Sequence, residues 1–297
     1  MRRWTGVALA SVLLAGCAQL LGASYDDARI ATDAGVDADP FADVANTFGD
    51  GEADADDADL GDAAVDPMTL GPIGFWFSGD YGITTKDGGT GITKWSSHVG
   101  TIVGTGTSVY TGPLDPPSFV PQAQNGLGAV RFDSTKLQYF STGITGPKGK
   151  DLSLFVVAKG NPIGAVSWSQ GFSTPFAIFP WGDPKKSMGL YMYGENFGQA
   201  PSDDGRWSVW EIVYEAAKLQ GARYFYNGVA GDVVTSQRVD LPDQTLYLGG
   251  SPFTVGSQYF TDAIVGEVLF YAAALTPLNR KRLEIHLAQR WGFKLGP

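Results

Sequence analysis

Paired carboxylates carry acid–base chemistry on β-strands, and one pair here has usable spacing. Glu211 and Glu215, in Glu211-Ile212-Val213-Tyr214-Glu215, stand four apart and share a strand face. Glu215 also opens the polar Glu-Ala-Ala-Lys-Leu-Gln connection, a placement that suits a strand end better than a cleft. The motif Glu-x-Asp-x-x-Glu, which would line up acid and nucleophile, is absent from the sequence, as are a Gly-x-Ser-x-Gly elbow and a phosphate loop. With two histidines, His98 and His286, little remains for a catalytic triad or a multi-histidine metal site. Glu267, alone in the apolar run 264–270, calls for a partner rather than a substrate. The residues therefore argue against catalysis without deciding the matter.

Recognition chemistry is better supplied. Residues 176–197 gather Trp181, Asp183, Tyr191, Tyr193, Glu195 and Asn196. Sugars lay their apolar faces on aromatic rings while amides and carboxylates bond their hydroxyls, and this set provides both kinds of group. Trp181, between Pro180 and Gly182, falls in a loop with Asp183; Tyr191 and Tyr193 share a strand face, where core packing would use them equally well. Asp203-Asp204-Gly205 offers hard oxygens for calcium, although the same trio also makes an ordinary turn.

The elements that position these groups are short. Beyond Pro67, aromatic and β-branched runs alternate with Gly, Pro, Asn and Asp, the pattern of an all-β domain. Strands are expected at 152–157, 189–193, 207–214, 222–226, 245–248 and 264–271, with Asn227-Gly228 as a hairpin turn. One helix is expected near the end, capped by Thr276, opened by Pro277 and stopped by Gly292. Leu278, Leu283, Leu287 and Trp291 would form its apolar face, and Arg280, Lys281 and Arg282 a solvated basic one.

The N-terminal part has other chemistry. Arg2 and Arg3 precede an apolar stretch, 7–15, too short to span a bilayer, which ends in Leu14-Ala15-Gly16-Cys17 with the chain's single cysteine. This arrangement resembles a bacterial lipoprotein signal, which implies that residues 1–16 are removed and that Cys17 carries lipid. Ala18, where an Asp would favour retention at the inner membrane, points to the outer membrane. Residues 18–66 hold fourteen acidic side chains against Arg29 alone, in an Ala/Asp-rich stretch that reads as a disordered acidic tether. The formal charge of −10 is thus concentrated there; residues 67–297 keep 31 − 14 = 17 acids against 21 − 3 = 18 bases, and a nucleic-acid partner is not expected.

Taken in order, Trp207–Tyr214, Ala222–Val229 ending in Asn227-Gly228, Leu246–Gly250, Gly266–Tyr271, and Ala274-Leu275-Thr276 leading to Arg290-Trp291-Gly292-Phe293 resemble a concanavalin A-like lectin/glucanase domain of laminin-G type. Gln124-Asn125-Gly126 and Ala129–Asp133 resemble its opening strand, so the likeness covers 72–293. The resemblance implies a jelly-roll sandwich of two antiparallel sheets with a short C-terminal helix, with glycans held on a concave face or its rim and calcium as an occasional cofactor. The expected organisation is a signal (1–16), a lipidated Cys17 with its tether (17–66), and one sandwich (67–297). The function implied is non-catalytic carbohydrate binding or adhesion at the cell envelope. A glycan hydrolase or lyase, and a structural or protein-interaction lipoprotein, are the alternatives, because this fold does not settle function.

Overall fold

The computed structural model describes residues 65–86, 88–108, 115–146, 149–161, 165–168, 176–180, 188–192, 195–196, 205–216, 218, 221–231, 245–250, 252 and 261–296. The signal segment, Cys17 and nearly all of the acidic stretch lie outside these residues. Along the chain run β1 (Ile73–Ser78), β2 (Ile83–Thr85), β3 (Ile92–Ser96), β4 (Val103–Ser108), β5 (Ser118–Gln124) and β6 (Leu127–Arg131). Next come β7 (Gln138–Thr145), β8 (Leu152–Asn161), β9 (Val166–Trp168), β10 (Phe176–Pro180), β11 (Met188–Met192) and β12 (Glu195–Asn196). The last are β13 (Trp207–Tyr214), β14 (Ala222–Tyr226), β15 (Val229–Ala230), β16 (Thr245–Leu248), β17 (Asp262–Tyr271) and α1 (Pro277–Trp291).

These strands form two antiparallel sheets, as the expected all-β sandwich requires. One has eight strands in the order β15-β14-β13-β8-β17-β6-β5, with β1 also on β17; the other has nine, in the order β12-β11-β10-β9-β16-β7-β4-β3-β2. The Asn227-Gly228 turn has positive φ at both residues, 51° and 83°, the backbone that a tight hairpin needs. Between the sheets lies a core rich in rings, including Phe75, Phe77, Trp95, Phe132 and Phe140. Strand β4 makes room for it: Gly104 pairs with Trp95 and Gly106 with Phe140, and a Cβ on Gly106 would stand 2.1 Å from the Ile92 carbonyl oxygen.

A second core lies on the other face of the eight-stranded sheet, where Leu283, Leu287 and Trp291 of α1 pack on Phe155, Val157, Val209 and Leu269. The helix ends as the sequence predicts. Thr276 Oγ1 accepts from the Asn279 amide at 3.3 Å, and Gly292 adopts the left-handed conformation at φ 66°. Two expectations for its faces need correction. Leu278 is 39% exposed, because it sits in the first turn, ahead of the stretch that packs on the sheet. Arg280 is buried rather than solvated: its guanidinium lies 3.7 Å from the centroid of Phe225 and reaches Glu284 and Glu211. No helix among the described residues is long and apolar enough to cross a membrane.

Candidate binding face and buried carboxylates

The registers of the nine-stranded sheet align one residue from every strand. Thr84 pairs with Lys94, Lys94 with Thr105, Thr105 with Ser141, and Ser141 with Tyr247. The row continues from Tyr247 to Ser167, Ala177, Tyr191 and Asn196. Neighbouring strands lie about 4.8 Å apart, so eight intervals span roughly 38 Å. Directly opposed residues share a sheet face, and Phe140, Leu246 and Leu248, which alternate with this row, belong to the inter-sheet core. In its described part, therefore, the row lies on the outer face. Thr84, Lys94 and Thr105 are exposed, Ser141 is half-buried and Tyr247 is 8% exposed.

Beside the row, Thr107 pairs with Tyr139, whose half-buried ring meets Tyr247 edge-on at 5.8 Å and 77°. Burial pushes the Tyr139 phenol up, Tyr247 adds to this, and a hydrogen bond with Thr107 partly offsets it. Burial likewise raises Tyr247, against a hydrogen bond with Thr245. Both hydroxyls thus stay protonated, as donors and acceptors. The face combines one accessible ring, a second ring that fixes its orientation, and a line of neutral hydroxyls with a single cation, Lys94. The row contains no carboxylate, so its chemistry is that of hydrogen bonding and stacking.

Of the residues expected from sequence to bind, Tyr191 and Asn196 are cross-strand partners in this row, and Glu195 pairs with Met192 one position along. Trp181, Asp183, Tyr193, Asp203 and Asp204 lie outside the described residues. Among the described residues no group of three or more His, Cys, Asp or Glu could hold a metal ion. Tyr139, Ser141, Thr105 and Thr107 were not anticipated. Their signal is the alternation in Gly104-Thr105-Gly106-Thr107 and Tyr139-Phe140-Ser141, where small or apolar residues face inward and hydroxyls outward.

The acidic residues singled out for catalysis do not converge. Glu211 is fully buried on the helix side of β13, and its carboxylate lies 3.5 Å from Arg280. Burial, and then the neighbouring Glu284, push its carboxyl well above the ordinary range. Glu215 stands at the strand end and pairs with Lys218 at 2.8 Å and Arg223 at 3.3 Å, the connection role read from sequence. Glu267 has the partners it called for. It accepts from Trp76 Nε1 at 3.2 Å, Trp291 Nε1 at 3.1 Å and Arg290 Nε.

A bulge puts it there. The β8–β17 register shifts between Val265 and Glu267, which turns Glu267 toward the helix instead of the dry inter-sheet core. Gly266 occupies the bulge, where a Cβ would stand 2.5 Å from the Trp291 ring.

No protein-family model matches the sequence, and no curated protein matches it either. Among solved structures, domain 4 of AbnA, a GH43 extracellular arabinanase from Geobacillus stearothermophilus in complex with arabinotriose, is 13% identical with a TM-score of 0.51, over 72% of this chain and 98% of that one. Trypanosoma rangeli sialidase in complex with sialic acid is 10% identical with a TM-score of 0.46, over 77% of this chain and 34% of the sialidase, of which this chain spans about a third. The binding domain of Paraclostridial Mosquitocidal Protein 1 is 10% identical with a TM-score of 0.44, over 75% of this chain and 55% of that one. The arabinanase domain, solved with arabinotriose, shares this chain's sandwich fold.

Proposed function

We propose that this chain is a lipid-anchored, non-catalytic glycan-binding protein of the concanavalin A-like, laminin-G type, anchored through Cys17 and tethered by the acidic segment 18–66 at the outer membrane. Its site is the outer face of the nine-stranded sheet. The observation that carries this reading is the register row from Thr84 to Asn196, which lines up hydroxyl, phenol and amide residues over a length suited to an oligosaccharide rather than a single sugar. Tyr139 supplies the stacking ring and Tyr247 buttresses it; Tyr191 and Asn196 continue the row at its β11–β12 end. Arabino-oligosaccharides are rational first probes, because the solved domain that shares the fold holds arabinotriose.

The test is glycan-array binding by the full chain in detergent, with reducing-end release followed in the same wells and with calcium or a chelator present. Saturable oligosaccharide binding without release is expected, and Tyr139→Ala should weaken it about tenfold, the loss of a stacking contact worth roughly 1–1.5 kcal/mol. Sugar release would restore the hydrolase or lyase. Absence of binding across the panel would favour protein adhesion. Chelator sensitivity would assign Asp203 and Asp204 to calcium.

A further inference from the structure

A second aromatic feature lies away from the proposed face, on the rim where the β1–β2 and β3–β4 loops meet the end of α1. Tyr81 stacks on His98 with ring centroids 4.0 Å apart at 19°, and His98 stacks on Trp76 at 4.2 Å and 24°. With one face on His98, Tyr81 still keeps 46% of its surface in solvent. The loop is pinned by the Tyr81 amide donating to the Ser78 carbonyl at 3.1 Å and the Ser96 amide to the Gly82 carbonyl at 2.9 Å. The His98 amide donates to the Trp76 carbonyl at 2.7 Å, which locks the middle ring of the stack.

Polar groups frame the platform. Asp80, next in sequence to Tyr81, accepts from Ser78 Oγ and from Arg290 Nη2 at 2.7 Å. Its side chain is 33% exposed and that of Arg290 27%. Each carboxylate oxygen has two acceptor positions, so Asp80 retains capacity after both bonds. Arg290 gives Nε to Glu267 and Nη2 to Asp80, and a guanidinium with five N–H donors has further ones to offer. Buried Glu267 holds the guanidinium in place, so donor and acceptor stand side by side at fixed positions.

We infer that Tyr81, Asp80 and Arg290 form a second ligand site, which takes a single pyranose ring. The apolar face of the sugar lies on Tyr81 while adjacent hydroxyls donate to Asp80 and accept from Arg290, since a vicinal diol matches a neighbouring acceptor and donor. The imidazole beneath is neutral near pH 7. Burial lowers the His98 pKa, Asp80 pulls it up and Arg290 pushes it down, with a net shift below the ordinary value. This site needs no extended chain, unlike the row across the nine-stranded sheet, and the two are therefore separable.

The chain has two histidines, so the imidazole proton signals of His98 can be assigned by comparison with His286→Gln. The full chain in detergent is titrated with methyl β-D-glucopyranoside, methyl β-D-galactopyranoside and methyl α-D-mannopyranoside, and with methyl α-L-arabinofuranoside as a furanose control. At least one pyranoside should shift the His98 signal saturably. Tyr81→Ala should abolish the shift, Tyr81→Phe retain it, and Asp80→Asn weaken binding about tenfold, the scale of one lost hydrogen bond to a charged group. Tyr139→Ala should leave it unchanged. Failure of all three pyranosides, a shift that survives Tyr81→Ala, or one that Tyr139→Ala removes would each overturn the assignment, and the last would transfer the signal to the first site.

Discussion

At the scale of single residues, the placement of Glu267 has the sharpest consequence. Two indole N–H groups and a guanidinium converge on one fully buried carboxylate, three donors with no competing acceptor. Burial raises its pKa, and Arg290, Trp291 and Trp76 work against that rise by favouring the ionised form. Glu267→Gln keeps the shape but turns an amide N–H₂ toward another donor and leaves Arg290 without its buried partner. It should cost about 3 kcal/mol, as for other broken buried pairs, read as a lower midpoint in urea with an unchanged slope. A variant as stable as the parent would show that packing of Trp76 and Trp291, not the carboxylate, holds this corner.

At the scale of elements, α1 is joined to β13 by a small acidic cluster. Glu211 and Glu284 are both fully buried and share Arg280. Tyr224, the buried partner of Ile212, lies on the other face of the sheet, in the inter-sheet core. Because the folded pKa of Glu211 is raised, the stability it contributes is fully present below its ordinary value of 4.5 and is lost as pH rises through the folded value. Glu211→Gln mimics the protonated acid, able to donate to Glu284 and accept from Arg280. As pH rises above the ordinary value of 4.5, the melting temperature of the parent should fall relative to that of Glu211→Gln. Parallel curves would show that Glu211 is ionised in the fold throughout.

The same cluster marks what could be read from sequence. Strands 207–214, 222–226 and 245–248 were legible because runs of β-branched and aromatic residues bounded by turn signals specify them locally, and so were the Thr276 and Gly292 caps. Arg280 was not legible. Whether a helical arginine meets water or a buried glutamate depends on how α1 sits across the sheet, and the Glu211 that Arg280 meets lies 280 − 211 = 69 positions earlier in the chain. The proposed binding row was half legible for the same reason: Tyr191 and Asn196 stand out by type, but only cross-strand register joins them to Ser141 and Tyr247.

At the scale of the whole molecule, the proposed anchor and the proposed site act on each other through geometry. Each buried acyl methylene contributes about 0.8 kcal/mol, so two or more chains on Cys17 would hold the protein on a membrane. Many anchored copies would then present binding faces to one long polysaccharide. Once the first copy has bound, each further contact is effectively intramolecular, and avidity rises by about a hundredfold or more without a new interaction. Cys17→Ser should therefore release the protein from sedimenting membranes and weaken its hold on vesicle-presented long polysaccharide by that order, while leaving a short oligosaccharide bound as before. If the variant still sediments, the apolar segment 7–15 has been retained as the anchor and lipidation is not the attachment. If it is released and also loses the short oligosaccharide, the N-terminal segment contributes to the site itself, and the separation of anchor from sandwich fails.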